Sequence, residues 1–157
     1  MESQTIVKSA TGRAIAHLNA LLRGELSAVE TFQHVIAKFG TDAPFELGDC
    51  LRSHQVRVEK LSVRISDLGG QPADGSGLWG SIARLFEGSA SLFGRKSALA
   101  ALEEGEDHGL AQYRALINDL ELDASSRRLL EIELQPEQRK THDTIRELCR
   151  ACTEVAS

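Results

Sequence analysis

Apolar residues recur at intervals of three and four through most of this sequence. In the first such stretch, residues 12–39, they stand at Leu18, Leu22, Val29, Phe32 and Ile36. This spacing places all of them on one face of an α-helix. Nowhere does the sequence sustain the alternation of Val, Ile, Thr, Tyr and Phe with polar residues that is typical of β-strands. The pattern therefore predicts an all-α fold.

Turn signals divide this pattern into four long helices, predicted at residues 12–39, 44–68, 96–120 and 125–155. Gly40 ends the first helix, and Gly69 with Gly70 ends the second, because glycine forms the left-handed cap of a helix at little cost. The first two helices are joined by a short connection, and so are the last two. Connections of this length predict two antiparallel helical hairpins, which together form a four-helix bundle.

Two local features mark the predicted fourth helix. Asp123 or Ser125 can cap its first turn, since both side chains accept hydrogen bonds from free backbone N–H groups. Pro136 lies inside the helix, lacks a backbone N–H group and predicts a kink. The fourth helix is therefore expected to begin near residue 125 and to bend near residue 136.

The connection between the two hairpins, residues 71–95, is too long for a turn and long enough to run the length of a bundle. We call this segment the crossover. It contains an amphipathic stretch with Leu78, Trp79, Ile82, Leu85 and Phe86. We expect a short helix that packs on the bundle. A partner-binding or membrane-surface helix is the alternative, but a membrane-surface helix needs a basic face, and Arg84 and Arg95 are offset by Glu87.

Composition narrows the class of protein. The 157 residues carry a net charge of −5 and so lack the basic surface expected of a nucleic-acid binder. No apolar run approaches the length of about 18 residues that spans a bilayer. The cysteines are odd in number, so we expect free thiols and no disulfide framework. The first residues lack the layout of a signal peptide, so we expect a cytoplasmic protein. We expect one domain over residues 1–157, with a flexible N-terminus at residues 1–11.

Each of the four helices carries one acidic or histidine residue within its apolar face. These residues are Glu25, His54, Glu106 and His142. A buried charge is costly unless another group pairs with it. If the crossover returns the chain to the end of the bundle where it began, the rise of about 1.5 Å per residue spreads the four over roughly 10 Å along the bundle, with Glu30 as a rival to Glu25. Carboxylates and imidazoles are ligands of iron and zinc, so the four residues form a candidate metal site.

A metal is not required to explain these residues. Paired carboxylate and imidazole groups satisfy one another inside a protein and can keep helices in register. The alternative is therefore a metal-free, hydrogen-bonded cluster of the same four residues. The other histidines, His17, His34 and His108, lie off the apolar faces and are expected at the surface, whereas Cys149 and Cys152 are expected in the core.

Two stretches resemble the ferritin-like family. Residues 18–35, LNALLRGELSAVETFQHV, are similar to the first helix of bacterioferritin, and ALAALEEGEDHGLAQYRALI is similar to the third helix of the family. There the glutamate that Glu25 matches is an iron ligand, and the one that Glu106 matches bridges two metals. The layout also resembles an uncharacterised bacterial family of ferritin-like bundles with no assigned activity, through motifs at residues 77–88, 103–107 and 142–148. The resemblance implies a ferritin-like four-helix bundle.

The sequence departs from ferritin-like di-iron proteins at two positions. Those sites take a Glu-x-x-His pair from each of two helices, but Leu51 stands three residues before His54, and Arg139 three before His142. Two carboxylates and two imidazoles suffice for one divalent ion but not for two irons, and a nearby arginine opposes cation binding. Oxidase chemistry is therefore not expected. No motif of a hydrolase or nucleotide enzyme is present either.

Two functions remain open from the sequence. The first is a ferritin relative that binds iron or zinc at Glu25, His54, Glu106 and His142, with a role in stress defence. The second is a metal-free bundle that serves as a structural or protein-interaction module, through the crossover or through a contact between copies. A homodimer is the default assembly for such a bundle, and the sequence indicates no particular protein partner.

Overall fold

The computed structural model describes residues 2–77 and 94–155, with side chains from residue 10 to 77 and from 94 to 154. Its helices are α1 (Glu2–Phe39), α2 (Phe45–Asp67), α3 (Arg95–Ile117), α4 (Ala124–Leu129) and α5 (Gln135–Val155). A 3-10 turn, Gly40–Asp42, follows α1, and a π-helical turn, Leu130–Leu134, joins α4 to α5 without a break. These described ranges contain no strand. The all-α prediction is confirmed.

The four long helical segments form a ring of antiparallel neighbours. α1 packs against α2 and α3, and α5 packs against the same two helices. Arg13 of α1 pairs with Glu121, just beyond α3, whereas Gln112 lies beside Gly24, farther along α1. Residue numbers rise along α1 as they fall along α3, so these two helices run in opposite directions. The structure is the predicted four-helix bundle of two helical hairpins.

The ends of the helices follow the signals in the sequence. Gly69 has a φ of 80°, which lets the N–H of Gly70 donate to the carbonyl of Ile65 at 2.9 Å. This is the hydrogen bond of a Schellman cap. At the start of α4, Oδ1 of Asp123 accepts a hydrogen bond from the backbone N–H of Ser126 at 2.9 Å. The predicted glycine stop and the predicted aspartate cap are both confirmed.

The first helix begins earlier than the sequence indicated. α1 starts at Glu2, ten residues before the predicted start at Gly12. A glycine within a helix costs only about 1 kcal/mol, which is too little to end a helix whose neighbouring residues favour it. A Cβ added at Gly12 would meet no atom within 4 Å, so the position lies in open space. The flexibility of residues 1–11 stays a prediction.

The irregularity expected at Pro136 takes the form of the π-helical turn. That turn, Leu130–Leu134, ends two residues before the proline, and helical geometry then resumes in α5. A proline cannot donate the backbone hydrogen bond of a regular helix, and a π-turn is one way to accommodate the unpaired carbonyl. The helix therefore continues through Pro136 instead of ending there.

The first part of the crossover runs back along α1. The amide of Asn19 donates to the carbonyl of Gln71 at 3.0 Å and accepts from the backbone N–H of Ala73 at 2.7 Å. Farther along α1, Glu30 accepts a hydrogen bond from Ser76 at 2.9 Å. The chain thus heads toward the α1–α2 turn. The predicted short helix, with Leu78, Trp79, Ile82, Leu85 and Phe86, lies outside the described residues.

The core consists of two apolar clusters at different levels of the bundle. The first includes Leu18, Leu22, Leu61, Ile65, Tyr113, Leu130 and Leu134. The second lies nearer the α1–α2 turn and includes Phe32, Val35, Leu47, Leu99, Leu102 and Ile145. Cys149 and Cys152 pack against the second cluster, as predicted, and His17, His34 and His108 are exposed, as predicted. No helix in the described ranges is long and apolar enough to cross a membrane.

Candidate functional site

A layer of polar side chains lies between the two apolar clusters. Three of the predicted residues meet there: Glu25 from α1, His54 from α2 and Glu106 from α3. Each stands on a helix face that is otherwise apolar, so packing of the faces brings all three to the middle of the bundle. Their side chains are almost fully buried, with 1–3% exposed. Such burial demands that each charge be compensated within the layer.

His54 is the central residue of this layer. Its Nδ1 lies 2.6 Å from Oε2 of Glu25, and its Nε2 lies 2.7 Å from Oε1 of Glu106. Both ring nitrogens face carboxylate oxygens, and these two contacts favour the doubly protonated imidazolium. The ring of Phe32 covers the imidazole at a centroid distance of 5.0 Å. His54 thereby links α1 to α3 across α2.

Arg57 supplies a second positive charge that the sequence analysis missed. Its Nε donates to Oε1 of Glu25 at 2.8 Å, and its Nη1 donates to the hydroxyl of Ser53 at 2.8 Å. Its Nη2 lies 2.6 Å from Nδ1 of His54. The side chain is only 1% exposed. The one signal in the sequence is its position three residues after His54, which places both on one side of α2.

The remaining carboxylate oxygens are satisfied by neutral donors. Oε2 of Glu106 accepts from Nε2 of Gln138 at 2.7 Å and from the hydroxyl of Thr141 at 2.8 Å. Oε1 of Glu25 accepts a hydrogen bond from the hydroxyl of Tyr113 at 2.6 Å, in addition to the one from Arg57. We call the whole set the buried polar network; it comprises Glu25, Ser53, His54, Arg57, Glu106, Tyr113, Gln138 and Thr141.

The charges within the buried polar network shift the pKa values of its members. Burial alone would raise the pKa of Glu25, but the charges of Arg57 and His54 lower it to about 2. Burial and the charge of Arg57 would lower the pKa of His54, but the charge of Glu25 and the hydrogen bonds that His54 donates to both carboxylates raise it above 6.5. Burial and the adjacent Glu25 raise the pKa of Tyr113 well above 10.0. Two carboxylates therefore balance one imidazolium and one guanidinium.

His142, the fourth predicted site residue, lies apart from the other three. Its Nε2 contacts Oδ1 of Asp107 at 2.6 Å, and its Nδ1 lies 3.3 Å from Asp143. The structure therefore does not bring His142 together with Glu25, His54 and Glu106. It also places Glu30, the rival of Glu25, outside the network, where Glu30 accepts a hydrogen bond from Ser76.

The arginine that faces the site is not the one that the sequence indicated. Arg139 is exposed and contacts Gln135 at 3.5 Å, without a contact to the network. Arg57 instead donates a hydrogen bond to Glu25, and its Nη2 lies 2.6 Å from a ring nitrogen of His54. The expected electrostatic opposition to a cation thus comes from α2 rather than from α5.

The donor set does not fit a resident iron or zinc ion. Both nitrogens of His54 and all four carboxylate oxygens of Glu25 and Glu106 already face protein hydrogen-bonding groups. A divalent ion would also meet the guanidinium charge of Arg57 at short range. In the described ranges, no group of three or more His, Cys, Asp or Glu side chains is arranged to hold a metal ion.

The space beside the site differs on its two sides. An open hollow of about 420 Å³ between α2 and the start of α5 reaches Ser53 and Arg57. A cavity of about 60 Å³ between α1 and α3 reaches Glu106 and is lined largely by small residues, among them Gly24, Ala28, Gly105 and Gly109. This volume holds only a few water molecules. The adjacent thiol of Cys50 is a poor nucleophile, because burial and the charge of Glu106 raise its pKa to about 12. The hydrogen bonds of the buried polar network are suited to holding the helices together.

Comparison with known protein families gives a match over residues 13–119, more than half of the chain, to a domain of unknown function, DUF2383. The matched part contains Glu25, His54 and Glu106, whereas Gln138 and the rest of α5 lie beyond it. The search of curated proteins found no match, and the search of solved structures found none either. The chain belongs to the DUF2383 family, whose function is unknown.

Proposed function

We propose that the protein is a metal-free helical bundle that acts as a structural or protein-interaction module. The observation that carries this proposal is the position of Arg57, whose guanidinium lies against Glu25 and His54 inside the bundle. With Arg57 in place, the four charges balance without an ion. A metal would have to displace hydrogen bonds that already satisfy every charged group of the layer.

The buried polar network performs the structural role that a metal performs in a metal-centred bundle. Glu25 ties α1 to α2 through His54 and Arg57, and Glu106 ties α3 to α5 through Gln138 and Thr141. Since hydrogen bonds have strict distance requirements, sliding one helix along another would leave buried charges unpaired. The network therefore favours one register of all four helices.

The ferritin-like relationship is part of the same proposal. The bundle has the long connection between hairpins that is found in ferritin-like folds, and Glu25 and Glu106 converge near one level as metal ligands do there. We infer a ferritin-like bundle in which a protein cation, Arg57, occupies the electrostatic role of the metal. A stress-related iron or zinc site is the competing function, and the convergence of Glu25, His54 and Glu106 is what supports it.

Metal analysis of the purified protein tests the proposal. We expect well below one equivalent of iron or zinc, both as purified and after loading with ferrous iron or zinc followed by desalting. A stoichiometric ion that Glu25→Gln and His54→Gln each remove would overturn the proposal. His17→Gln is the matched control, since it deletes an exposed imidazole that pairs only with Asp119 among the described residues.

The same variants report the structural role. Glu25→Gln and His54→Gln should each lower the free energy of unfolding of the metal-free protein, because each leaves a buried charge without its partner. His17→Gln should change it by no more than about 0.5 kcal/mol, as is usual at an exposed position. Equal effects of the buried and exposed substitutions would contradict a structural network.

A further inference from the structure

The outward face of α2 carries exposed apolar side chains. Val56 is 49% exposed and Val63 is 56% exposed, and Ile132 on the neighbouring π-helical turn is 64% exposed. The two valines are seven residues apart, which is two helical turns, so they project from the same side of α2. A shallow hollow between α2 and Leu129 runs beside them. This face remains in contact with solvent in the single chain.

Charged residues flank the valines in a repeating order. Along this face of α2 the sequence reads positive, apolar, negative, positive, apolar, negative, at residues that all lie within one side of the helix. We call these residues the α2 stripe; they are Arg52, Val56, Glu59, Lys60, Val63 and Asp67. The α2 stripe contains as many positive as negative charges, although the whole chain has a net charge of −5.

The α2 stripe is complementary to itself when reversed. A two-fold axis placed at its midpoint, between Glu59 and Lys60, brings a second α2 alongside in the antiparallel direction. Each residue then faces the residue at the same distance on the other side of the midpoint. The facing pairs are Arg52 with Asp67, Val56 with Val63, and Glu59 with Lys60. Every charge meets its opposite, and every valine meets a valine.

We propose that the α2 stripe is the contact between two copies of this chain in an antiparallel, two-fold symmetric dimer. Interfaces with two-fold symmetry require a surface patch that complements itself, and the α2 stripe has this property. A neutral, mixed-charge face offers little to a polyanion such as nucleic acid or to an anionic membrane surface. The inference deepens and rests on the proposed role as an interaction module.

The size of the stripe sets the expected strength of the dimer. Sixteen helical residues, from Arg52 to Asp67, extend about 24 Å, and a helix face is roughly 10 Å wide. The resulting area is well below the roughly 800 Å² per partner of a stable interface, although Ile132 at the edge of the stripe adds to it. We therefore expect a dimer that exchanges with monomer, with a Kd between about 1 and 100 μM.

The ion pairs that these residues make within one chain do not prevent the contact. Arg52 pairs with Asp49, and Lys60 pairs with Glu133 at 2.6 Å, all four at exposed positions. Exposed pairs contribute little to stability, so their partners can be exchanged at small cost. Glu59 and Asp67 have no ion pair to any other part of the chain that the structure describes.

Analytical ultracentrifugation of the full chain, from about 1 to about 300 μM, tests the proposal. Arg52→Asp and Asp67→Arg should each raise the Kd at least about tenfold, because each substitution acts twice in a symmetric dimer and places like charges together. The double variant, with both substitutions, should return to within about threefold of the original Kd, since the pair is restored in reverse. Arg114→Asp, at an exposed position on α3, is the matched control and should leave the Kd unchanged.

Each contrary outcome of this experiment overturns the proposal. A protein that stays monomeric over the whole range has no such dimer, and a dimer that neither single substitution weakens uses another surface. Weakening by both single substitutions without recovery in the double variant rules out the antiparallel register. Circular dichroism confirms that every variant is folded. Molecular mass is independent of metal content, so this inference and the metal-free assignment can fail separately.

Discussion

Arg57 decides what the buried layer can do. A guanidinium cannot lose its proton in a protein, so its charge is permanent at any pH at which the protein folds. The pKa of Arg57 is itself raised further, because the charge of Glu25 outweighs the effect of burial. A permanent cation beside Glu25 keeps that carboxyl ionised and keeps another cation away. One residue thus accounts both for the stability of the layer and for its poor fit to a metal.

Replacement of Arg57 by methionine should be among the most destabilising single changes in the chain. The substitution removes the hydrogen bonds to Glu25 and Ser53 and leaves the carboxylate of Glu25 buried with less compensation. Breaking a buried ion pair in this way costs about 3–5 kcal/mol, a large share of the total stability of a domain. Urea unfolding followed by circular dichroism measures the change.

Arg114→Met is the control for this measurement. Arg114 is exposed on α3, so the same chemical change should alter the free energy of unfolding by no more than about 0.5 kcal/mol. If Arg57→Met is as mild as the control, the guanidinium does not stabilise the network.

Because the pKa of His54 is raised in the folded protein, the free energy of unfolding should depend on pH. The folded protein holds a proton on His54 at pH values at which the unfolded chain, with a pKa near 6.5, has lost it. The stabilisation is fully present below pH 6.5 and is lost as the pH rises through the pKa of the folded state. The free energy of unfolding should therefore fall as the pH rises above 6.5 and level off above the pKa of the folded state, with a slope of up to about 1.4 kcal/mol per pH unit. Urea titrations at a series of pH values measure this slope.

At acid pH the free energy of unfolding changes in the opposite direction, and the residue responsible is Glu25. Glu25 has a pKa lowered from 4.5 to about 2, so its stabilisation is present above pH 4.5 and is lost as the pH falls toward 2. His54→Gln should remove the decline in the free energy of unfolding above pH 6.5. If the free energy of unfolding still falls with rising pH in His54→Gln, another group is responsible. Groups that face His54 are Glu25 from α1, Arg57 from α2 and Glu106 from α3.

Part of the site could be located from the sequence because its charged residues stand within otherwise apolar helix faces. Glu25, His54 and Glu106 were identifiable because each interrupts an apolar face, where a charge is costly. Arg57 gave no such contrast, since an arginine next to an apolar face is normally exposed. His142 did interrupt an apolar face, but a nearby acidic residue, Asp107, pairs with it. Periodicity gives the direction of a side chain but not its partner.

The ends of the helices were predictable where they depend on local chemistry. Gly69 and Asp123 were correctly identified because a cap is formed by residues close together in sequence. The start of α1 was missed because glycine at position 12 weakens a helix without ending it. The π-helical turn before Pro136 was foreseen only as a kink, since a proline has several ways to disturb a helix.

Two glycines of α3, Gly105 and Gly109, differ in the space beside them. A Cβ added at Gly105 meets no atom within 4 Å, whereas one added at Gly109 lies 3.0 Å from Nε2 of Gln138. Gln138 is 1% exposed and donates to Glu106, so it cannot move freely. Gly105→Ala should stabilise the protein by about 0.5–1 kcal/mol, because alanine favours the helix. The free energy of unfolding of Gly109→Ala should be lower than that of Gly105→Ala by about 1 kcal/mol or more, because the added Cβ crowds Gln138.

Because both glycines lie within the same helix, the intrinsic helix preference cancels in the comparison. The difference between the two variants therefore measures the rigidity of Gln138. Thermal and urea unfolding of the two proteins, in one buffer, supplies the numbers. Equal stabilisation by both substitutions would mean that Gln138 yields easily and that the hydrogen bond to Glu106 contributes little.

At the scale of the whole molecule, the bundle consists of two apolar clusters with the buried polar network between them. The four helices and their hairpin pairing were predictable, because apolar periodicity and connection length are local properties of the sequence. The position of the polar network between the two apolar clusters was not predictable, because it depends on which turns of different helices meet. The comparison of levels along the helices brought Glu25, His54 and Glu106 together but carried an error too large to exclude His142.

The buried polar network as a whole contributes less to stability than the loss of any one member suggests. Buried charge clusters are often no more stable than apolar residues of similar volume, although loss of one member is very costly. A combined variant should therefore have a free energy of unfolding equal to that of the original protein or up to about 4 kcal/mol higher, whereas Glu25→Leu alone should lose about 3–5 kcal/mol. The combined substitutions are Glu25→Leu, His54→Leu, Arg57→Met, Glu106→Leu, Tyr113→Phe, Gln138→Leu and Thr141→Val. Urea unfolding compares the three proteins, and a combined variant less stable than the original protein would show that the network stabilises the bundle beyond what apolar packing can replace.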